Sequence, residues 1–196
     1  EPLGRNPEVG LPSAQPTLPA LLRGAGYRTV LVGKWHLGQG QDSGPLKSGY
    51  ERFYGIMTGG TDYFRHQPNA LPDGIGSALL DGSAPSGDSG YLTQLFGQRA
   101  VQEIRAARAD RVPLFMSLHF TAPHWPWEGP EDAAVAAQVT DLQHRDGGSL
   151  ATYRRMLRSL DAAVGQVLAA LDRLGMRENT IVVFTSDNGG ERFSDT

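Results

Sequence analysis

The sequence predicts an α/β architecture with a mostly parallel sheet, and two observations carry that reading. Three times along the chain, a stretch with helical periodicity is followed by a short apolar run of strand length, the alternation that builds parallel sheets. Each apolar run then gives way to polar residues with chemical capacity, and the carboxyl ends of strands are where open α/β sheets bind ligands.

The first unit opens at Pro16-Thr17-Leu18-Pro19, a short helix whose apolar residues are Leu18, Leu21, Leu22 and Ala25. Proline suits a first turn because the backbone N–H there has no helical partner. Gly26 can take the left-handed conformation that stops a helix. Arg28-Thr29-Val30-Leu31-Val32 then reads as a buried strand ending at Gly33. The second unit begins near Tyr91, where Leu92, Phe96, Ala100 and Ile104 recur every four residues as one apolar stripe. After the charged turn Arg108-Ala109-Asp110-Arg111, the run from Leu114 to Phe120 fits a buried strand. In the third unit, Leu157, Leu160, Val164, Val167, Leu171 and Leu174 lie along one helical face, and Gly175 ends the helix. The β-branched run Thr180-Ile181-Val182-Val183-Phe184-Thr185 reads as the third strand. The stretch from Gly38 to Gly90 is rich in Gly, Ser and Pro and reads as a long loop region. Its aromatics Tyr50, Phe53, Tyr54, Tyr63 and Phe64 are expected to shape specificity.

Composition narrows the function classes. A chain of 196 residues is one domain or part of a larger one, and 39% hydrophobic residues suffice for a core. A net charge of -3 gives no footing for electrostatic nucleic-acid binding. No apolar run approaches the roughly 18 residues of a membrane span. The absence of cysteine excludes disulfides and zinc-thiolate sites and leaves the redox compartment open. No charged-then-apolar leader opens the chain, which says little if the natural N-terminus lies upstream.

Behind the first strand come Lys34-Trp35-His36-Leu37-Gly38, behind the second Ala122-Pro123-His124-Trp125-Pro126-Trp127, and behind the third Ser186-Asp187-Asn188-Gly189-Gly190. Taken singly, Lys34 reads as a solvated lysine, His36 and His124 as structural histidines, and the Asp187 segment as a tight turn. Delivered together to one sheet edge, they have the composition of an anion site beside a hard metal. His119 reads as a packed or surface strand residue, and His66 and His144 receive no role. Asp62 fits either a site-facing carboxylate or a turn cap; Trp125 and Trp127 either wall a pocket or cover the sheet edge.

These segments resemble the sulfatase family of the alkaline-phosphatase-like superfamily. The stretch from Gly26 to Gly38, Gly-Tyr-Arg-Thr-Val-Leu-Val-Gly-Lys-Trp-His-Leu-Gly, is similar nearly throughout to the family's second signature. Ala122-Pro123-His124 and Phe184-Thr185-Ser186-Asp187-Asn188-Gly189 resemble two later family segments in the same order. The resemblance implies a partial alkaline-phosphatase-like α/β/α sandwich, a single partial catalytic domain over 1–196 with a substrate-side loop region at 38–90. It implies that Lys34 and His36 contact sulfate, and that His124 binds sulfate or protonates the leaving alcohol. It further implies that Asp187 and Asn188 give oxygen ligands to Ca2+, which prefers such donors. The implied reaction is hydrolysis of a sulfated sugar, another sulfated glycan or an aryl sulfate. Many bacterial relatives are periplasmic or secreted, and that location is expected ahead of the cytoplasm.

The family's nucleophile is a formylglycine made from the Cys or Ser of a Cys/Ser-x-Pro-x-Arg motif. Gly10-Leu11-Pro12-Ser13-Ala14 fails that pattern, so the nucleophile is expected outside this chain. Two calcium-binding aspartates and a further lysine of the family pattern are also not found, so the chain alone is expected to be inactive. The alternatives are a phosphate or phosphonate monoester hydrolase of the same superfamily, and a non-catalytic sulfatase-like binding protein.

Overall fold

The architecture is organised around β1 (Arg28–Lys34), a strand with neighbours on both sides in a computed structural model describing residues 10–12, 14–38, 42–57, 61–66, 79–138 and 148–190. Ser13 and His144 lie outside the described residues. β1 runs parallel to β2 (Arg52–Ile56) on one side and to β5 (Leu114–His119) on the other. Two short strands, β3 (Leu80–Asp81) and β4 (Ala84–Pro85), continue the sheet beyond β2 in antiparallel fashion. The order is β4-β3-β2-β1-β5, a mostly parallel α/β sheet as the sequence predicts.

Side chains alternate across β1. Val30 and Val32 face one core with Tyr54, Tyr63, Tyr91, Leu92 and Phe96, whereas Leu31 packs on the other face with Trp35, Tyr50 and Phe53. Parallel strands covered on both faces must be apolar on both, which is why Val-Leu-Val occurs without polar interruption. α1 (Leu18–Gly24) enters from Thr17, whose hydroxyl accepts from Ala20 N and donates to the Ser48 carbonyl. Gly26, at φ 89°, closes the helix as expected, but Leu18 and Leu21 remain exposed.

α2 (Leu92–Asp110) buries Leu92, Phe96, Ala100 and Ile104, the stripe read from the sequence. α4 (Leu150–Arg173) is capped by Ser149, which accepts from Thr152 N, and it packs on α2 rather than on the sheet. The two helices meet where a Cβ added at Gly97 would lie 3.0 Å from Ala163 Cβ, so a small residue is needed there. The buried face of α4 overlaps the expected stripe, of which Leu171 is buried and Leu160, Val164, Val167 and Leu174 are half-buried. Met156, Ala163 and Ala170 are buried alongside Leu171, while Leu157 is exposed. The short α3 (Ala133–Ala136) lies between them in sequence. No helix among the described residues is long and apolar enough to cross a membrane.

Two sequence expectations need correction. Residues 38–90 do not form one loop region: β2, β3 and β4, three of the five strands among the described residues, come from it. The strand Arg52-Phe53-Tyr54-Gly55-Ile56 is hidden from pattern reading by its short length and glycine-rich surroundings. Tyr50, Phe53, Tyr54 and Tyr63 are consequently core residues. The expected third strand at 180–185 is not a strand either. It pairs with no described segment, and Ile181, Val183 and Phe184 are 93%, 80% and 78% exposed.

Candidate active site

The carboxyl end of β1 is built to hold an unusual conformation. Trp35 N donates to the Ile56 carbonyl at 2.9 Å and His36 N to the Met57 carbonyl at 3.2 Å, extending the β1–β2 register past the strand. The buried Trp35 indole N–H reaches the carbonyls of Gly38 and Ser43, each at 3.0 Å. Between these anchors His36 takes φ 61°, a left-handed value costly for a side chain with a Cβ and often found at functional sites. Gly33 explains the close approach of β5. At φ 117° a side chain would be strained, and its Cβ would sit 1.9 Å from the His119 carbonyl oxygen. His119 Nδ1 hydrogen-bonds the Lys34 carbonyl at 3.0 Å, so this histidine ties β5 to the end of β1.

Beyond β5 the chain makes a turn in which His124 N donates to the Thr121 carbonyl at 2.8 Å. His124 Nδ1 lies 2.7 Å from the Trp125 carbonyl oxygen. A carbonyl only accepts, so Nδ1 carries the proton and Nε2 is the nitrogen whose protonation can change. The indole of Trp125 packs beside the imidazole, ring centres 5.0 Å apart. Trp127 packs instead against Tyr153 at 5.0 Å, covering the fold rather than accompanying His124.

Lys34 and His36 follow β1 and His124 lies in the turn beyond β5, and both Lys34 and His124 act electrostatically on His36. Burial pulls the His36 pKa below its ordinary value, and positive charge on Lys34 and on His124 pulls it down further. The imidazole of His36 therefore favours its uncharged form. Burial also lowers the Lys34 pKa, opposed by the Asp187 carboxylate.

Asp187 thus faces Lys34 electrostatically although its segment forms no strand. Asn188 is exposed, its Nδ2 donating to the Gly189 carbonyl at 2.8 Å, while Ser186 Oγ donates to the Asn188 carbonyl at 2.6 Å. These are local turn contacts of the Asx kind. The donor types suit calcium, but two oxygen donors fall short of the six to eight that calcium takes. Among the described residues, no group of three or more His, Asp or Glu side chains could hold a metal ion.

Asp62 caps a turn: Oδ1 accepts from Phe64 N and Arg65 N, and Oδ2 accepts from the Arg65 guanidinium. His66, at φ 56°, hydrogen-bonds the Gly90 carbonyl. Sequence reasoning missed Glu128, a buried carboxyl whose Oε2 accepts from Tyr63 N at 2.9 Å. Only its adjacency to the Pro-His-Trp-Pro-Trp segment could have drawn notice.

The family model described as Sulfatase matches residues 2–195. Mouse arylsulfatase J is 37% identical over 186 residues, covering 92% of this chain and 30% of the relative. Rat N-acetylgalactosamine-6-sulfatase is 33% identical over 195 residues, covering 94% of this chain and 34% of the relative. The chain thus spans about a third of the length of these curated relatives. The crystal structure of Ps i-CgsB superposes with a TM-score of 0.74 at 26% identity, covering 91% of this chain and 41% of that one. The same protein has been solved in complex with k-i-k-neocarrahexaose.

Proposed function

The chain belongs to the sulfatase family, and from that premise we propose that the protein hydrolyses sulfate esters, on a sulfated sugar or an aryl sulfate. The observation that supports this most is the β1 corner carrying Lys34 and His36, held with His36 at φ 61° by the extended β1–β2 register and the Trp35 indole, with positive charge on Lys34 and His124 acting on the His36 imidazole. Lys34 and neutral His36 bind the sulfuryl oxygens, where negative charge must be balanced as the S–O bond breaks. His124 binds the same group or, through Nε2, gives a proton to the departing alcohol. Asp187 and Asn188 contribute oxygen atoms to a calcium ion whose other ligands come from outside the described residues, and that ion would polarise the sulfuryl group. The nucleophile, a formylglycine in this reading, also lies outside this chain, so the 196 residues alone do not turn over.

The saccharide held by Ps i-CgsB favours a glycan as the natural substrate. A periplasmic or secreted location fits such a substrate. The test is a longer reading frame containing this chain, assayed with calcium against an aryl sulfate and an aryl phosphate. Preferential sulfate cleavage, abolished by a chelator, is expected. Preference for the phosphate would replace this reading with a phosphomonoester hydrolase, and silence on both would make the protein a non-catalytic binder.

A further inference from the structure

The loop that carries His124 has no helix or strand to hold it, yet a proton-transfer or anion-binding group displaced by about 1 Å can lose on the order of a hundredfold in rate. Among the contacts that hold this loop, Tyr63 reaches in from another segment and meets it at two points. Tyr63 is fully buried, and each of its polar groups is engaged. Its phenol donates to the His124 carbonyl at 3.0 Å, its backbone N–H donates to Glu128 Oε2 at 2.9 Å, and its carbonyl accepts from Leu92 N at 2.8 Å. Tyr91 stacks on it at 5.3 Å and donates its own hydroxyl to the Glu128 carbonyl at 2.7 Å. The turn at 61–66 is itself locked by Asp62 and Arg65. The loop is therefore gripped at His124 and at Glu128 by a preformed unit rooted at the start of α2.

Resting on the sulfatase reading above, we infer that Tyr63 and Glu128 are positioning residues for His124, clamping the loop from Thr121 to Glu128 so that its imidazole meets the group bound by Lys34 and His36. Three features separate this from ordinary packing. The Tyr63 phenol contacts the main chain of His124 itself, not a neighbour. Glu128 is buried with Oε1 lacking a partner among the described residues, a cost that ordinary packing does not require. Its carboxyl is also pushed up to about 7 by burial, with Asp62 and Asp132 adding to the shift while the Tyr63 N–H and Arg65 oppose it. The segment is thus held by a destabilised group where a glutamine or an apolar residue would be cheaper.

The test uses a longer reading frame containing this chain, with phenyl sulfate as the probe. Tyr63→Phe removes one hydroxyl and keeps the ring packing. It is expected to lower kcat about tenfold with KM within about twofold, and to move the pH profile of kcat. Glu128→Gln keeps an acceptor for Tyr63 N and is expected to retain several times the kcat of Glu128→Ala. Wild-type kcat and pH profile in both Tyr63→Phe and Glu128→Ala would overturn the inference. Should the wild type itself cleave no sulfate ester, the functional reading fails and the clamp is judged by 15N-histidine NMR. Tyr63→Phe shifts the His124 imidazole signals and leaves those of His36 in place if the clamp is real; unchanged His124 signals refute it.

Discussion

Two apolar, β-branched runs end in polar signatures in this molecule, and they behave in opposite ways. Thr29-Val30-Leu31-Val32 lies in the middle of the sheet, hydrogen-bonded to β2 and β5, with its three aliphatic side chains buried. Ile181-Val182-Val183-Phe184 has the same chemistry, but it pairs with no described segment and is exposed along its length. Local preference is equal in the two, so pairing decides which becomes a strand. The site inherits the difference. The Lys34–His36 corner is held by main-chain bonds and Trp35, whereas Asp187 and Asn188 sit in an exposed turn whose hydrogen bonds, among the described residues, run between residues 186 and 189.

Matched substitutions sharpen this comparison most strongly. In the 196-residue chain, Val32→Asp buries an unpaired carboxylate and is expected to cost at least about 4 kcal/mol, measured by denaturant unfolding. Val183→Asp in the same chain changes stability by no more than about 0.5 kcal/mol, as at other exposed positions. In a longer reading frame that supplies a pairing partner, Val183→Asp becomes costly as well. Equal costs for the two substitutions in the short chain would break the comparison.

Hydrogen exchange gives a smaller but more local effect. Amides of 30–32 are expected to be protected in both the short chain and a longer reading frame. Amides of 181–184 exchange freely in the short chain and gain protection, on the order of a hundredfold or more, only in the longer one. Protection of 181–184 in the short chain would show that the run finds a partner unaided.

The smallest expected effect belongs to Glu128. Its native carboxyl titrates near 7, above the ordinary value of 4.5, with Asp62, Asp132 and Arg65 as the charged groups around it. The uncharged carboxyl therefore supports the fold fully below about pH 4.5, and that contribution is lost as pH rises through about 7. Glu128→Gln is expected to gain in melting temperature relative to wild type across this window and level off above it. A pH-independent difference would contradict the shifted carboxyl.

Much of the fold was legible because it rests on periodicity. The stripe Leu92, Phe96, Ala100 and Ile104 is the buried face of α2, and Val30, Leu31 and Val32 are the central strand. The failures share a physical cause, dependence on partners distant in sequence. α4 also buries Met156, Ala163 and Ala170, outside the predicted stripe, because its partner is α2 with a small residue at Gly97. Tyr63 resembled a specificity residue but is a buried tether between the 61–66 turn and the His124 loop. At the site, Lys34, His36, His124 and Asp187 are candidates drawn from the polar segments that follow three apolar runs, one of which is not a strand. The action of Lys34 and His124 on His36, and of Asp187 on Lys34, required the fold, and the Glu128 contact to Tyr63 spans 65 residues of sequence that no local pattern links.

The central claim is that the paired strand's end supplies the cation that binds the transferring sulfuryl group. It is tested most directly by kcat/KM for an aryl sulfate in a longer reading frame containing this chain, wild type against Lys34→Ala. A loss of about a thousandfold or more, with melting temperature preserved, is the predicted result. A variant that retains wild-type kcat/KM would contradict the assignment of Lys34 and, with it, the site described here.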